Sequence, residues 1–339
     1  MKALVYEAPW QMPLREVADP EPQPGEVVVA VRAVGVCGSD VHGFTGSTGR
    51  RIPPMIMGHE FSGEVSAVGA GVTGWEPGAR VTVLPTISCG TCANCRAGLP
   101  NICMNRSGLG MMTTDGAYAD AVRVPARQLY PLPPEVSWEA GAMVEPLAVG
   151  MHAANLTPIR LMDTVLIFGA GTIGLLTLMA VRLKGAGTII VTDLSPHRLE
   201  VARRLGADVT VNPREADLAA IVHEHAGPSG APVVIEAVGA AATARQSLEL
   251  VRPGGQVTWI GNSQPVIEVN MPSIVTREIT IRGAYAFNRE FGDAIEAIRS
   301  GRVDVMALVE DVLPLSEGPR VVTELAKGQL DAIKIVLKP

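Results

Sequence analysis

No run of lysine or arginine occurs anywhere in this chain of 339 residues, and 28 basic against 34 acidic side chains leave a net charge of −6. A protein that tracks a phosphate backbone concentrates positive charge on one face, so a nucleic-acid partner is excluded. Long apolar runs are missing as well. Val165–Val181 carries no charge, but its 17 residues sit at the short limit for a bilayer and three glycines at turn-like spacing interrupt it. A strand, a turn and a buried helix explain that stretch better than a membrane span. The opening residues Met1–Glu7 lack the apolar core of a secretory signal, so the expectation is a cytoplasmic protein. Aromatic residues amount to only 4%, whereas 36 glycines and 26 prolines point to many tight turns. With 47% hydrophobic residues, the chain has enough apolar material for buried cores, and its length suggests about two domains.

Texture changes along the chain. The first half is β-rich: Val27–Val31 and Val81–Leu84 are short runs rich in β-branched residues, bounded by Pro-Gly or Gly turns. The proline-rich segment 19–25 reads as an irregular connection, since proline cannot donate to a strand ladder. From about Thr164, strand and helix alternate. The strand candidates are Val165–Phe168, Thr188–Thr192, Val233–Ala237, Gln256–Ile260 and Ile279–Arg282, with helices over Leu175–Lys184 and Pro196–Leu205. Ser195 reads as the cap of the second helix, Pro196 as its first residue and Gly206 as its stop. Such alternation predicts an α/β fold, a doubly wound parallel sheet with helices on both faces. Beyond about Tyr285 the mixture becomes irregular and ends in a terminal strand over Ala332–Leu337.

Only five cysteines are present, and four of them, Cys89, Cys92, Cys95 and Cys103, form a C-x2-C-x2-C-x7-C cluster. Two intervening residues rarely allow good disulfide geometry. A bacterial iron–sulfur run would continue x3-C-Pro, whereas here the gap is seven and Met104 follows Cys103. The pattern therefore reads as a closed structural zinc site of four thiolates. The fifth, Cys37, lies 22 residues before His59 in Gly58-His59-Glu60 and reads as part of a second, open metal site.

A nucleotide site follows from the second half. Val165–Phe168 runs into Gly169-Ala170-Gly171-Thr172-Ile173-Gly174, which opens a helix, and Asp193 ends the next strand about 20 residues on. Gly169 permits the tight turn, Gly171 admits a pyrophosphate, and Gly174 allows close helix–strand packing. The helix N-terminus offers its N–H groups to the phosphates. Gly169, Gly171, Ile173, Gly174, Asp193 and Arg198 are thus the candidate cofactor residues. Asp193 suits the ribose hydroxyls of NAD and repels a 2′-phosphate; Arg198 is the opposing feature, able either to pair with such a phosphate or to lie over the adenine.

Taken together, Cys37-Gly38-Ser39-Asp40-Val41-His42, Gly58-His59-Glu60, the cysteine lobe, Glu145-Pro146-Leu147 and the glycine loop resemble the zinc-dependent medium-chain dehydrogenases, in particular the sorbitol (polyol) and threonine dehydrogenase branch. The resemblance covers essentially the whole chain. It implies a GroES-like catalytic domain over residues 1–148 and 285–339, carrying the structural-zinc lobe at 86–106, and a Rossmann NAD-binding domain over 149–284. It also implies that the catalytic zinc is held by Cys37, His59 and one or both of Glu60 and Glu145. Ser39 and His42 would form a proton relay, imidazole being suited to this because its pKa lies near neutrality. Zinc would lower the pKa of an alcohol substrate and the hydride would pass to NAD. His152 is read as a packed helix residue, and His197, His223 and His225 as surface residues.

The substrate implied is a small polyol or sugar alcohol, oxidised at a secondary hydroxyl. Phe44, Thr45, Arg106, Tyr285 and Asn288 are candidates for the pocket rim. Threonine is the alternative substrate, although Thr86 stands where that branch carries histidine. Two further readings, a zinc-free reductase of the same fold and a non-catalytic zinc-braced binding protein, conflict with the metal-ligand set and with Ser39 and His42. A homo-oligomer, tetramer or dimer, built by pairing of Rossmann edge strands is expected. Metal analysis checks the central expectation: about two zinc ions per chain, of which a chelator removes the Cys37 ion first, together with activity. One zinc, or iron with visible colour, would contradict it.

Overall fold

Prolines and glycines cut the first 145 residues into short strands, and one of these, Glu26–Gly35, organises the rest. Most of its side chains are buried, as expected for a strand covered on both faces. It pairs antiparallel with Glu60–Val68 on one edge. Its other edge is shared by Ala121–Pro125 along the first half and by Lys334–Lys338 at the end, where Val34 faces Leu337 and Gly35 faces Val336. Arg80–Val83 and Leu129–Pro131 extend one flank, and Val309–Pro314, parallel to Lys334–Lys338, extends the other. Leu4, Val29, Phe61, Val65, Val81, Tyr118 and Leu337 belong to the core of this unit. A smaller three-stranded sheet joins Leu14–Glu16, Lys2–Tyr6 and Met55–Ile56.

The computed structural model describes residues 1–339, which divide into two compact units: 1–145 with 291–339, and 146–290. In the second unit six parallel strands lie in the spatial order Val209–Val211, Ile189–Thr192, Val165–Phe168, Ala231–Glu236, Val251–Trp259, Thr280–Gly283. This is the 3-2-1-4-5-6 arrangement of a doubly wound nucleotide-binding sheet. The helix Pro196–Arg204 begins as its sequence predicts: Ser195 Oγ accepts from Arg198 N at 3.2 Å, with proline in the first turn. Two strands depart from expectation. Val209–Val211 is only three residues long and carries little signal, and Val251–Trp259 starts five residues before the expected Gln256, running through Pro253-Gly254-Gly255. No helix of the chain is long and apolar enough to cross a membrane.

The glycine loop is dictated by space. Gly169 has φ of +93°, a left-handed conformation that disfavours a side chain. A Cβ on Gly174 would lie 1.8 Å from the Gly169 carbonyl oxygen, whereas one on Gly171 would meet nothing nearer than Arg198 Nη1 at 3.8 Å. Gly174→Ala should therefore destabilise the fold by about 1–3 kcal/mol through overpacking, and Gly171→Ala should leave stability unchanged. Urea unfolding followed by circular dichroism separates the two. Equal midpoints for both variants would contradict this account.

Candidate active site

Two clusters of metal-ligating side chains form in the first unit. Cys89, Cys92, Cys95 and Cys103 converge in the lobe closed by the hairpin Thr86–Ile87 and Ser107–Gly108. Their sulfurs are 3.5 Å apart for Cys92–Cys95 and Cys89–Cys103, 3.8 Å for Cys92–Cys103 and 4.0 Å for Cys89–Cys95. A tetrahedron with 2.3 Å metal–sulfur bonds has edges of about 3.8 Å, so four thiolates around one zinc fit without movement. Hydrogen bonds from Thr91 and the Cys92 N–H hold the Cys89 thiol down at about 5, while burial pushes Cys95 up to about 11. A divalent cation deprotonates the whole set.

The second cluster lies where strands end. Glu26–Gly35 runs out at Cys37, directly before the helix Gly38–Phe44, and Glu60–Val68 starts beside it with His59 and Glu60. Ligand atoms of Cys37, His59 and Glu60 lie within 4.8 Å of one another. Thiolate, imidazole and carboxylate form a donor set that suits zinc. Glu145 is not among these atoms, although it is buried and close enough to feel the charges of His59, Glu60 and Lys334. Burial pushes its carboxyl up to about 7, and Glu60 adds to the effect. A bound divalent cation would draw it down again.

Three residues that were given no role from the sequence, Asp40, Arg51 and Lys334, organise this cluster. Asp40, fully buried, accepts from Arg51 Nη2 at 2.7 Å and Nε at 3.2 Å through Oδ1, and from the Tyr118 hydroxyl at 3.0 Å through Oδ2. His59 Nδ1 stands 3.3 Å from the same Oδ2, near enough for charge attraction but off the line of a full hydrogen bond. Burial alone would raise the Asp40 carboxyl; His59 and Arg51 outweigh it and hold the group well below its ordinary range. Burial works against a proton on His59, but Asp40 and Cys37 overcome it and raise its pKa well above normal. A carboxylate behind an imidazole is the arrangement that orients metal-binding histidines. The third residue, Lys334, donates from Nζ to Glu60 Oε2 at 2.6 Å and to the Val36 carbonyl at 3.0 Å, with both charged side chains 1% exposed. Neither Arg51 nor Lys334 belongs to a motif. An ionisable residue inside an otherwise apolar strand, as at Lys334 before Ile335-Val336-Leu337, was the only available signal.

The remaining candidates are placed as follows. Ser39, exposed on the first helix, donates to Cys37 Sγ at 3.4 Å and accepts from Arg51 Nη2 at 3.3 Å. His42 is exposed in the last turn of that helix. Phe44 is not a rim residue: it is 1% exposed, packed in the core with Trp10 edge-on at 5.6 Å. Thr45 donates back to the His42 carbonyl, and Arg106 caps the Cys103 carbonyl within the lobe. His152 is buried beside Glu290 at 3.1 Å in the second unit, a packed helix residue as expected. Tyr285 and Asn288 also belong to that unit. There Asp193 accepts from Ala170 N at 2.7 Å and Ser195 N at 2.9 Å, which fixes its carboxylate beside the glycine loop.

Comparison with known proteins gives the family. Residues 23–134 match the alcohol dehydrogenase GroES-like domain, and residues 172–300 match the zinc-binding dehydrogenase domain. The chain belongs to the zinc-dependent medium-chain dehydrogenase family. Sorbitol dehydrogenase of Bacillus subtilis is 35% identical over 343 residues, covering 100% of this chain and 97% of that protein. L-threonine 3-dehydrogenase of Saccharopolyspora erythraea is 35% identical over 289 residues, 84% of each chain. The crystal structure of a zinc-binding dehydrogenase of Sinorhizobium meliloti bound to NADP superposes with a TM-score of 0.94 at 34% identity, covering 100% of this chain and 99% of the other.

As a member of this family, the dehydrogenase uses zinc and a pyridine nucleotide, and the two clusters of ligating side chains have donor sets that fit zinc. The ion pair of Lys334 with Glu60 predicts a large stability effect, because removing one partner leaves a buried charge unpaired. Lys334→Met should cost the zinc-free dehydrogenase about 3–5 kcal/mol, and adding Glu60→Leu should restore most of it. Denaturant midpoints for the two variants test this; a wild-type midpoint in Lys334→Met would refute the pairing.

Proposed function

We propose that the dehydrogenase oxidises a secondary hydroxyl of a small polyol or sugar alcohol to a ketone, with NAD as hydride acceptor. The observation that carries this reading is the meeting of the Cys37, His59 and Glu60 ligand atoms within 4.8 Å, with the Ser39 hydroxyl 3.4 Å from the Cys37 sulfur. A zinc ion bound there supplies Lewis acidity, which lowers the pKa of the alcohol. Ser39 Oγ would accept the hydroxyl proton while releasing its own hydrogen, and His42, exposed one helical turn on, would pass a proton to solvent, so that Ser39 ends as a neutral hydroxyl. The carbon-bound hydrogen leaves as hydride, so one alcohol and one NAD⁺ give one ketone, one NADH and one proton. Cys37, His59 and either Glu60 or Glu145 hold the metal. The ion pair with Lys334 favours Glu60 as the fixed carboxylate, which leaves Glu145 as the one able to exchange.

NAD rather than NADP follows from Asp193, whose carboxylate is held by two backbone N–H groups beside the loop and would repel a 2′-phosphate. A polyol is favoured because the buried polar groups around the metal suit a substrate bearing several hydroxyls, and because the sorbitol dehydrogenase relative is matched over the entire chain. L-Threonine is the second reading, supported by the relative of that name. The edge strand Thr280–Gly283, next to a helix with exposed Met271 and Val275, supports self-association through this sheet edge, as a dimer or tetramer. A thiolate metal lobe suits the reducing cytoplasm.

Initial rates of NADH formation with xylitol, sorbitol, galactitol, inositols, 2,3-butanediol and L-threonine test the assignment. Turnover of one or more polyols with NAD is expected, at rates well above those with ethanol. Activity confined to L-threonine or to primary alcohols would overturn the polyol reading.

A further inference from the structure

Between the strands Lys2–Tyr6 and Leu14–Glu16, a tryptophan stands in a backbone position built for glycine. Ala8-Pro9-Trp10-Gln11 closes with Gln11 N donating to the Ala8 carbonyl at 2.9 Å, and Trp10 has φ of +67°. Proline in the second place and a left-handed residue in the third make a type II turn, whose third place favours glycine. Glycine takes most of the left-handed positions in this chain, so a bulky residue in one is an outlier. Burial does not explain it, because Trp10 is 47% exposed. Strain of this kind persists where a site makes use of it. The Trp10 indole meets Phe44 edge-on at 5.6 Å, and both line a cavity of about 340 Å³ in the first unit. We propose that this cavity is a second binding site, separate from the zinc site, that takes a neutral pyranose sugar stacked on the Trp10 indole.

The walls select the ligand. Glu7 and Arg15 line the same cavity as a two-bonded pair, Arg15 Nε donating to Glu7 Oε1 at 2.8 Å and Nη2 to Oε2 at 3.2 Å. Those hydrogen bonds hold the Glu7 carboxyl below its usual range, so the pair stays ionised and carries no net charge. Neither an anion nor a cation is favoured beside it. Both partners keep spare capacity, since each carboxylate oxygen accepts more than one bond and the guanidinium has further N–H donors. An acceptor and a donor side by side suit two adjacent hydroxyls, each of which both donates and accepts. Gln11 and Thr323 add an amide and a hydroxyl to the lining. The indole offers the complementary surface, flat and apolar, with a negative π face that attracts C–H groups. A pyranose has both halves of the match: a face of axial C–H bonds and a rim of vicinal hydroxyls. An aromatic guest would cover the ion pair without meeting its free positions, and an acyclic chain would lose more freedom on lying flat. The cavity is of the size that small-molecule sites have. Its lining includes no metal-ligand candidate and neither Ser39 nor His42, so the site is independent of polyol oxidation.

Saturation-transfer NMR on the purified holoenzyme with methyl β-D-glucopyranoside tests this. In that sugar the C–H bonds at ring positions 1, 3 and 5 point to one face and those at 2 and 4 to the other. Stacking on an indole should saturate one of these sets in preference to the other, with a Kd of about 1 mM, ordinary for so small a ligand. Trp10→Gly restores the residue that the turn favours and should fold as the wild type does, but weaken binding at least about tenfold. Glu7→Ala leaves the turn intact and should weaken binding as well; it decides the matter if Trp10→Gly unfolds. Both variants should oxidise polyols at the wild-type rate. No transfer to the sugar, equal transfer to both faces, or binding that survives both variants overturns the second site. So does a loss of polyol oxidation in step with the loss of sugar binding, which would put the sugar in the catalytic pocket. Should the wild type oxidise no polyol at all, the NMR experiment still decides whether the cavity binds a sugar.

Discussion

Charge balance in a water-poor pocket is the constraint on which this site is built. Asp40, Glu60 and Glu145 are all buried in one β-rich unit, where an isolated carboxylate would sooner take up a proton than stay charged. Each finds a different solution. Asp40 is paired with Arg51 and braced by Tyr118; Glu60 is paired with Lys334; Glu145 has no such cation at hydrogen-bond range, and its carboxyl is pushed up to about 7. With Asp40 and Arg51 cancelling, a zinc ion, the Cys37 thiolate, the two glutamates and Lys334 sum to neutrality. The pocket can thus hold a divalent cation without becoming a net anion, which would blunt the cation's pull on an alcohol oxygen.

The chemistry was legible in the sequence because it sits in contiguous strings. Cys37 to His42, His59-Glu60, the cysteine lobe and the glycine loop each place several functional residues within a few positions, so spacing alone proposes the ligands. The supports were not legible for the opposite reason. Asp40 lay inside a quoted motif without attracting a role, Arg51 comes from a glycine-rich loop, and Lys334 arrives on a strand 274 residues after its partner Glu60. Only the antiparallel pairing of Lys334–Lys338 with the end of Glu26–Gly35 brings them together. Phe44 misled because it follows His42 by two residues, which on a helix turns it to a different face, here into the core.

Glycines near the site were legible as turns but serve in part as vacancies. A Cβ at Gly35 would meet Glu60 Oε2 at 2.4 Å, at Gly43 the Arg51 stem at 2.4 Å, and at Gly58 the Tyr118 ring at 2.6 Å. Each missing methyl is the slot in which a supporting polar or aromatic side chain lies. The glycine-rich composition of the first half therefore reflects the volume of the supports as much as the sharpness of the turns.

The return of the chain to its first sheet also sets an order of events during synthesis. Every metal-ligand candidate in the first unit has left the ribosome long before residue 334 is made, and the whole parallel sheet of the second unit is translated in between. Until the last strand docks, Glu60 has no ammonium beside it, the Val36 carbonyl lacks its donor, and the edge of Glu26–Gly35 near Val34 and Gly35 is open. A nascent chain can therefore gather its zinc-ligand candidates early, but the electrostatic setting of that metal is completed only once Lys334 has been made and its strand has docked.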